Sequence, residues 1–332
     1  MPRTVGWTRA LRRAACVVGL MASSAVSAAA QEKLSVRLDF SPWGMHAAMH
    51  LAKQKGWFKD AGLEVDIQDG RGSGNTLQLV NAGQADVGQI QLGLLPQARG
   101  NGAQVKGIAG WVRRTDLAVL VDKDAPIQKV SDFSGKTLDV FAASPWSPYI
   151  DYWLKQGNLN RTKTTITFVD PAALWGTYTA KRVDGMMSTV PSALPVVAVT
   201  RPSKAILAED AGIAYPSYGL VATERTLAAK RDALAKLVAV QTKAWDYLRN
   251  GKIDEGVEAI VQQRPDAKLD RTVLAEQIRL TIAFFDTPAT KGRPLGWQSE
   301  DDWRAALTGL ESAGAIKPGW KVSDFYTNDL IQ

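Results

Sequence analysis

Leu34-Ser35-Val36-Arg37-Leu38-Asp39-Phe40-Ser41-Pro42-Trp43-Gly44 sets the pattern that decides the fold, and Leu63-Glu64-Val65-Asp66-Ile67-Gln68 and Ala85-Asp86-Val87-Gly88-Gln89-Ile90 repeat it. Leu34, Val36 and Leu38 alternate with polar neighbours, as Leu63, Val65 and Ile67 do. That is the two-residue period of strands with one buried face. Between these segments, residues 45–55 read as a helix closed by Gly56, and residues 75–82 as a helix closed by Gly83. Ser41-Pro42-Trp43-Gly44 and Gly70-Arg71-Gly72-Ser73-Gly74 break the chain between strand and helix. Strand, loop, helix, strand in this order implies a parallel, doubly wound sheet with ligands at the carboxyl ends of its strands.

Farther along the chain the same order returns. Strands are expected at 105–111, 117–121, 137–141, 165–169, 184–187 and 205–207, with helices at 148–155 and 172–181. A last strand at 218–222 is followed only by helices, at 227–250, 253–263, 273–285 and 301–313. On the first of these, Leu234, Leu237, Val238, Gln241, Trp245 and Leu248 share one face. Ser299 and Asp302 have capping-box spacing before the last helix, and Gly314 ends it. The expected architecture is α/β: two doubly wound lobes joined by a two-crossing hinge, with a helical C-terminal tail on lobe 1. Lobe 1 takes residues 31–113 and 217–332, and lobe 2 takes residues 114–216.

Residues 1–30 read as a cleaved secretory signal peptide. Arg3, Arg9, Arg12 and Arg13 precede an apolar stretch, and Ala28-Ala29-Ala30 offers small residues for cleavage. The adjacent Arg12-Arg13 also admits a twin-arginine route, and the expected location is the periplasm. The net charge of +7 includes those four arginines, which leaves about +3 on the rest. Basic residues are interspersed with acids, which excludes a nucleic-acid partner. The single cysteine, Cys16, falls in the leader, so disulfides, thiolate metal sites and cysteine nucleophiles are excluded from the mature chain.

The segments Leu38-Asp39-Phe40-Ser41-Pro42, Gln54-Lys55-Gly56-Trp57-Phe58-Lys59-Asp60-Ala61-Gly62-Leu63 and Gln84-Ala85-Asp86-Val87-Gly88 resemble the thiamine-precursor, sulfonate and nitrate group of periplasmic binding proteins. Gly72-Ser73-Gly74-Asn75 and Asp132-Phe133-Ser134-Gly135-Lys136-Thr137-Leu138 extend the resemblance over most of the mature chain. It implies a type II periplasmic binding protein fold and the role of a monomeric solute carrier for an ABC permease in the inner membrane. Group members carry thiamine pyrimidine precursors, sulfonates, taurine, nitrate, riboflavin or aromatic acids. Other readings are a sensor that reports to a membrane receptor, or an enzyme like the thiamine-pyrimidine synthases that share the fold. The synthases carry a cysteine-rich motif that this mature chain lacks.

The candidate site comprises strand ends and the loops after them. Trp43 and Trp146 occupy equivalent loops of the two lobes and are expected to face each other across a flat ring, or else to pack structurally. Asp39 is a candidate acceptor for a ring amine, or a cap for its own turn. Gly72, Ser73, Gly74 and Asn75 present a helix N-terminus to a polar ligand group, though the same glycines suit a plain turn. Ser41, His46, Gln91, Ser144, Tyr149, Trp175 and Ser188 complete the set, with Thr189 and Ser192 beside Ser188 as further hydroxyls. His46 and His50 lie four apart on one helix but lack the glutamate of a zinc-protease motif. The expected solute is a small aromatic heterocycle, with sulfonate, taurine or nitrate as the alternative. No metal, cofactor or catalytic residue is expected.

Overall fold

The computed structural model describes residues 31–312 and 314–331, so the expected signal peptide at 1–30 lies outside the described residues. The chain opens with β1 (Glu32–Arg37), α1 (Ala47–Gln54), α2 (Trp57–Asp60), β2 (Leu63–Gln68), α3 (Ser73–Asn81), β3 (Val87–Gln91), α4 (Leu95–Gly100) and β4 (Val105–Gly110). It continues through β5 (Leu117–Asp122), β6 (Thr137–Val140), α5 (Ile150–Gln156), β7 (Thr165–Phe168), α6 (Leu174–Thr179), β8 (Gly185–Thr189), α7 (Val190–Val197) and β9 (Ser203–Leu207). After β10 (Tyr218–Thr223) come α8 (Glu224–Ala229), α9 (Arg231–Arg249), α10 (Ile253–Gln263), α11 (Arg271–Ala283) and α12 (Glu300–Ser312).

Two five-stranded sheets share one plan, β2-β1-β3-β10-β4 in the first and β7-β6-β8-β5-β9 in the second. The expectation of parallel sheets needs correction: β10 runs antiparallel to β3 and β4, and β5 runs antiparallel to β8 and β9. The reason lies in the two crossings. A helical crossover returns the chain to the same end of a sheet, so strands joined that way are parallel. Strands β5 and β10 each arrive directly from the other sheet and begin where their neighbours end. The first residues of β5 and β10 therefore sit beside the carboxyl ends of the parallel strands.

Burial follows the alternation. Leu63, Val65 and Ile67 of β2 point inward, while Glu64, Asp66 and Gln68 face water. Helix α1 is buried along Ala47, Ala48, Met49, His50, Leu51 and Ala52, because α9 and α10 cover its outer side. Gly56 ends that region with φ 74, a conformation glycine adopts without the Cβ penalty. The expected face of α9, Leu234 through Leu248, is buried, with Trp245 edge-on to Phe285. The helix expected at 227–250 is broken at Lys230, whose Nζ reaches Asp86 at 2.8 Å. Ser299 caps α12, but Asp302 turns away from it to accept the Thr287 hydroxyl at 2.8 Å.

The crossings are bonded to each other and to the C-terminal segment. Thr115 Oγ1 donates to the Tyr215 carbonyl and accepts the Tyr215 amide, at 3.0 and 2.6 Å. Arg113 is buried and donates to the carbonyls of Phe285, Pro294 and Trp297 as well as to the Asp286 carboxylate. Its removal takes the donor from three carbonyls at once. Arg113→Ala should cost about 3 kcal/mol of unfolding free energy, read from the urea midpoint, and a change within about 0.5 kcal/mol would contradict this anchoring.

Candidate functional site

A narrow cleft opens where the carboxyl ends of the two sheets meet. One wall carries Asp39, Phe40, Trp43, Gly72, Ser73 and Tyr218; the other carries Phe141, Ser144, Pro145, Leu174, Trp175, Ser188, Thr189 and Ser192. Aromatic rings from both walls meet at 5.8 Å between Phe40 and Phe141, at an interplanar angle of 29°, and at 6.3 Å between Phe40 and Trp175.

The geometry starts from the turn after β1. Gly72 N donates to the Asp39 carbonyl at 2.6 Å, and Thr76 Oγ1 donates to the Leu38 carbonyl at 2.7 Å, which ties that turn to the start of α3. Backbones approach so closely that a Cβ at position 70 would lie 2.1 Å from the Leu38 carbonyl oxygen. Gly72, at φ 119, brings the loop against Phe141 and Ala143 of the second sheet's layer. Ser73 sits at the cleft wall and accepts the Gln91 amide at 3.1 Å.

Three donors converge on the Asp39 carboxylate. Trp43 Nε1 and His46 Nε2 reach Oδ1 at 3.2 and 2.8 Å, and the Tyr218 hydroxyl reaches Oδ2 at 3.1 Å. The Trp43 amide points to His46 Nδ1 at 3.4 Å, so the network assigns the ring proton to Nε2, facing Asp39. Burial and the nearby Asp39 and Asp116 hold the Tyr218 phenol well above its ordinary pKa, so it stays a donor. Among the described residues that line the cleft, Asp39 is the one acid, and no lysine, arginine or histidine joins it.

Nine expected site residues line the cleft: Asp39, Trp43, Gly72, Ser73, Ser144, Trp175 and Ser188, with Thr189 and Ser192 beside it. The expected pair of facing tryptophans does not form. Trp146 is fully buried edge-on to Trp153 at 5.7 Å and donates from Nε1 to the Ser188 carbonyl at 2.8 Å. It supports Ser144 and Ser188 from behind, since its own amide also donates to Ser144 Oγ at 3.2 Å. His46 lies beneath Asp39 and outside the lining, and Ser41 is exposed to solvent. Gly74 approaches Ala143 across the loops, and Asn75 is half-buried outside the lining. Tyr149 stacks on Tyr215 at 5.0 Å and donates to the Gly93 carbonyl at 2.7 Å, away from the cleft. Phe40, Phe141, Pro145, Leu174 and Tyr218 are lining residues that were not among the expected set. The signal for two of them was position, because Phe40 and Phe141 follow β1 and β6, which hold the same place in their sheets. The pairing of His46 with His50 dissolves: His50 turns to Gln263 at 2.9 Å, and burial pushes it down to about 4. No group of three or more metal-ligating side chains occurs among the described residues.

The family model described as NMT1/THI5 like matches residues 43–251. The chain belongs to that family. Solved structures place the family's fold among the periplasmic binding proteins. A Bordetella bronchiseptica RB50 protein superimposes with a TM-score of 0.71 at 19% identity, covering 90% of this chain and 95% of its own. The alkanesulfonate-binding protein SsuA from Xanthomonas axonopodis pv. citri, bound to MOPS, gives 0.66 at 16% identity over 88% and 96%. The periplasmic nitrate-binding protein NrtA from Synechocystis PCC 6803 gives 0.68 at 13% identity over 90% and 87%. No curated protein sequence matches. No helix among the described residues is long and apolar enough to cross a membrane.

Behind the cleft, Asp116 and Ser217 stand just before β5 and β10. Ser217 Oγ and Gln91 Nε2 both reach Asp116 Oδ1, at 2.6 and 2.8 Å, while Oδ2 has no partner. Burial pushes the carboxyl up to about 6; the two donors pull it down in part and Asp39 adds to the rise. A native pKa above the unfolded value makes this contribution to stability complete below about pH 4, and it is lost as pH rises through about 6. Asp139, buried with both oxygens unpartnered and pushed up to about 7, titrates in the same window in wild type and variant alike. Asp116→Asn should therefore match the wild type near pH 4 and exceed it by about 2 kcal/mol at pH 8 in urea unfolding. The same stability difference at both pH values would contradict this assignment.

Proposed function

We propose that this protein is the periplasmic solute-binding component of an ABC import system, and that its cleft takes a flat aromatic heterocycle carrying hydrogen-bond donors, of the thiamine-pyrimidine-precursor kind. The observation that carries the reading is the lining itself: one carboxylate, Asp39, set beside the aromatic faces of Phe40, Phe141 and Trp175. A ring amine satisfies the carboxylate, and ring faces replace water against the aromatics. The hydroxyls of Ser144, Ser188, Thr189 and Ser192 on the other wall suit a hydroxymethyl or similar polar arm. Lobe 1 is residues 31–113 and 217–332, lobe 2 is residues 114–216, and the two crossings between them act as the hinge. The mature protein is exported as a monomer and delivers its solute to an inner-membrane permease.

Carriage rather than chemistry fits the lining, where no histidine, lysine or thiol stands beside the serine hydroxyls to activate one. The second reading, a sulfonate, taurine or nitrate carrier, draws on those hydroxyls and on the start of α3 at Gly72 and Ser73. Against it stands Asp39, since an oxyanion enclosed there meets a carboxylate with no lining cation to offset it.

A thermal-shift screen of the exported protein separates the two. A solute at about 100 times its Kd adds about 2.7 kcal/mol of stability. A hydroxymethyl-aminopyrimidine should raise Tm, while taurine, methanesulfonate and nitrate should not. Shifts with the anions alone would overturn the heterocycle reading.

A further inference from the structure

Helix α11 lies outside the residues matched by the family model and lines no part of the cleft, yet it packs on both the turn after Trp43 and helix α7. At its middle, the buried Gln277 commits its whole amide to backbone groups on the two sides. Oε1 accepts the Gly44 N–H at 2.9 Å, one residue from Trp43, which holds Asp39. Nε2 donates to the Ser192 carbonyl at 2.7 Å, in the first turn of α7, and the Ser192 side chain lines the opposite wall.

The fit around this bridge is tight. A Cβ at position 44 would lie 2.5 Å from Gln277 Cβ and 2.8 Å from the Ile278 amide nitrogen. Real Cβ atoms do not approach so closely, so only glycine lets the turn reach α11. The bridge is also separate from both chain crossings. Rotation of one lobe about those crossings bends the hinge but must pull α7 away from α11, which moves with the Gly44 turn in lobe 1. The Gln277–Ser192 hydrogen bond tolerates no more than a fraction of an ångström of separation.

We propose that Gln277 is a positioning residue for the cleft, whose amide staples the Gly44 turn of one lobe to the start of α7 in the other and stabilises the closed arrangement of the lobes. The proposal rests on reading the two lobes as a closing cleft, and it deepens that reading by assigning the closed state to a side chain the solute does not touch.

Spin labels on Gln78→Cys and Lys155→Cys, exposed positions on α3 and α5 of opposite lobes, report the inter-lobe distance in a chain carrying Cys16→Ser. No solute is added, so a failed solute screen leaves this test intact. The parent should populate a short inter-lobe distance. Gln277→Met keeps the side-chain length and loses both bonds; Gln277→Glu keeps the acceptor for Gly44 and loses the donor to Ser192. Both should shift the distribution to longer distances, with folding checked by melting temperature, a readout that a purely structural residue would move instead. Should Gln277→Met fail to fold, Gln277→Glu and Gly44→Ala read the same bridge. A parent with no short-distance population, or folded variants that keep the parent's distribution, would overturn the proposal.

Discussion

The carboxylate of Asp39 accepts from Trp43 and His46 on its own turn and from Tyr218 at the first residue of β10. Those donors come from parts of the chain about 180 residues apart, and they meet only because β10 enters its sheet from the cleft side. An acceptor buried at the junction of two sheets costs several kcal/mol unless it is paired, so the turn, the buried histidine and the returning strand are bound to one arrangement. What remains of the carboxylate's hydrogen-bonding capacity is directed at the cleft. Gln91, Asp116 and Ser217 continue the buried polar chain from beside Tyr218 to the two crossings. Cleft floor and crossings are thus one hydrogen-bonded unit.

Around that polar floor the walls divide the work of recognition. Phe40, Phe141 and Trp175 present faces and edges to the cleft, while hydroxyls of the second wall are held by bonds among themselves and to Trp146 behind them. Trp146 illustrates the second kind of role. Its indole fixes the Ser188 carbonyl and its amide fixes Ser144 Oγ, so a tryptophan that never meets the cleft sets the position of two residues that do.

Much of this was legible in sequence, for identifiable reasons. Strand alternation and glycine punctuation located both sheets because each buries one face or is enclosed by helices, and Asp39 stood out as an acid at a strand end. The direction of the crossing strands was not legible, because alternation is the same for either direction and only the connection decides it. The sequence places Trp146 in a loop after a strand, as it does Trp43. Which way an indole turns depends on what lies beneath, and Trp153 and the Ser188 carbonyl are there to receive it. Gln277 reads as an ordinary polar residue on an amphipathic helix. Its partners are 233 and 85 residues away, beyond the reach of any local pattern.

A ligand-and-protein double cycle tests the central claim, that Asp39 recognises a donor on the solute. Calorimetric titration would compare a hydroxymethyl-aminopyrimidine with its analogue lacking the amine, on the wild type and on Asp39→Asn. The account predicts that removing the amine weakens binding to the wild type by about tenfold or more, on the order of 1.4 kcal/mol, and makes little difference to Asp39→Asn. An equal penalty on both proteins would show that Asp39 does not read the amine and would contradict the account.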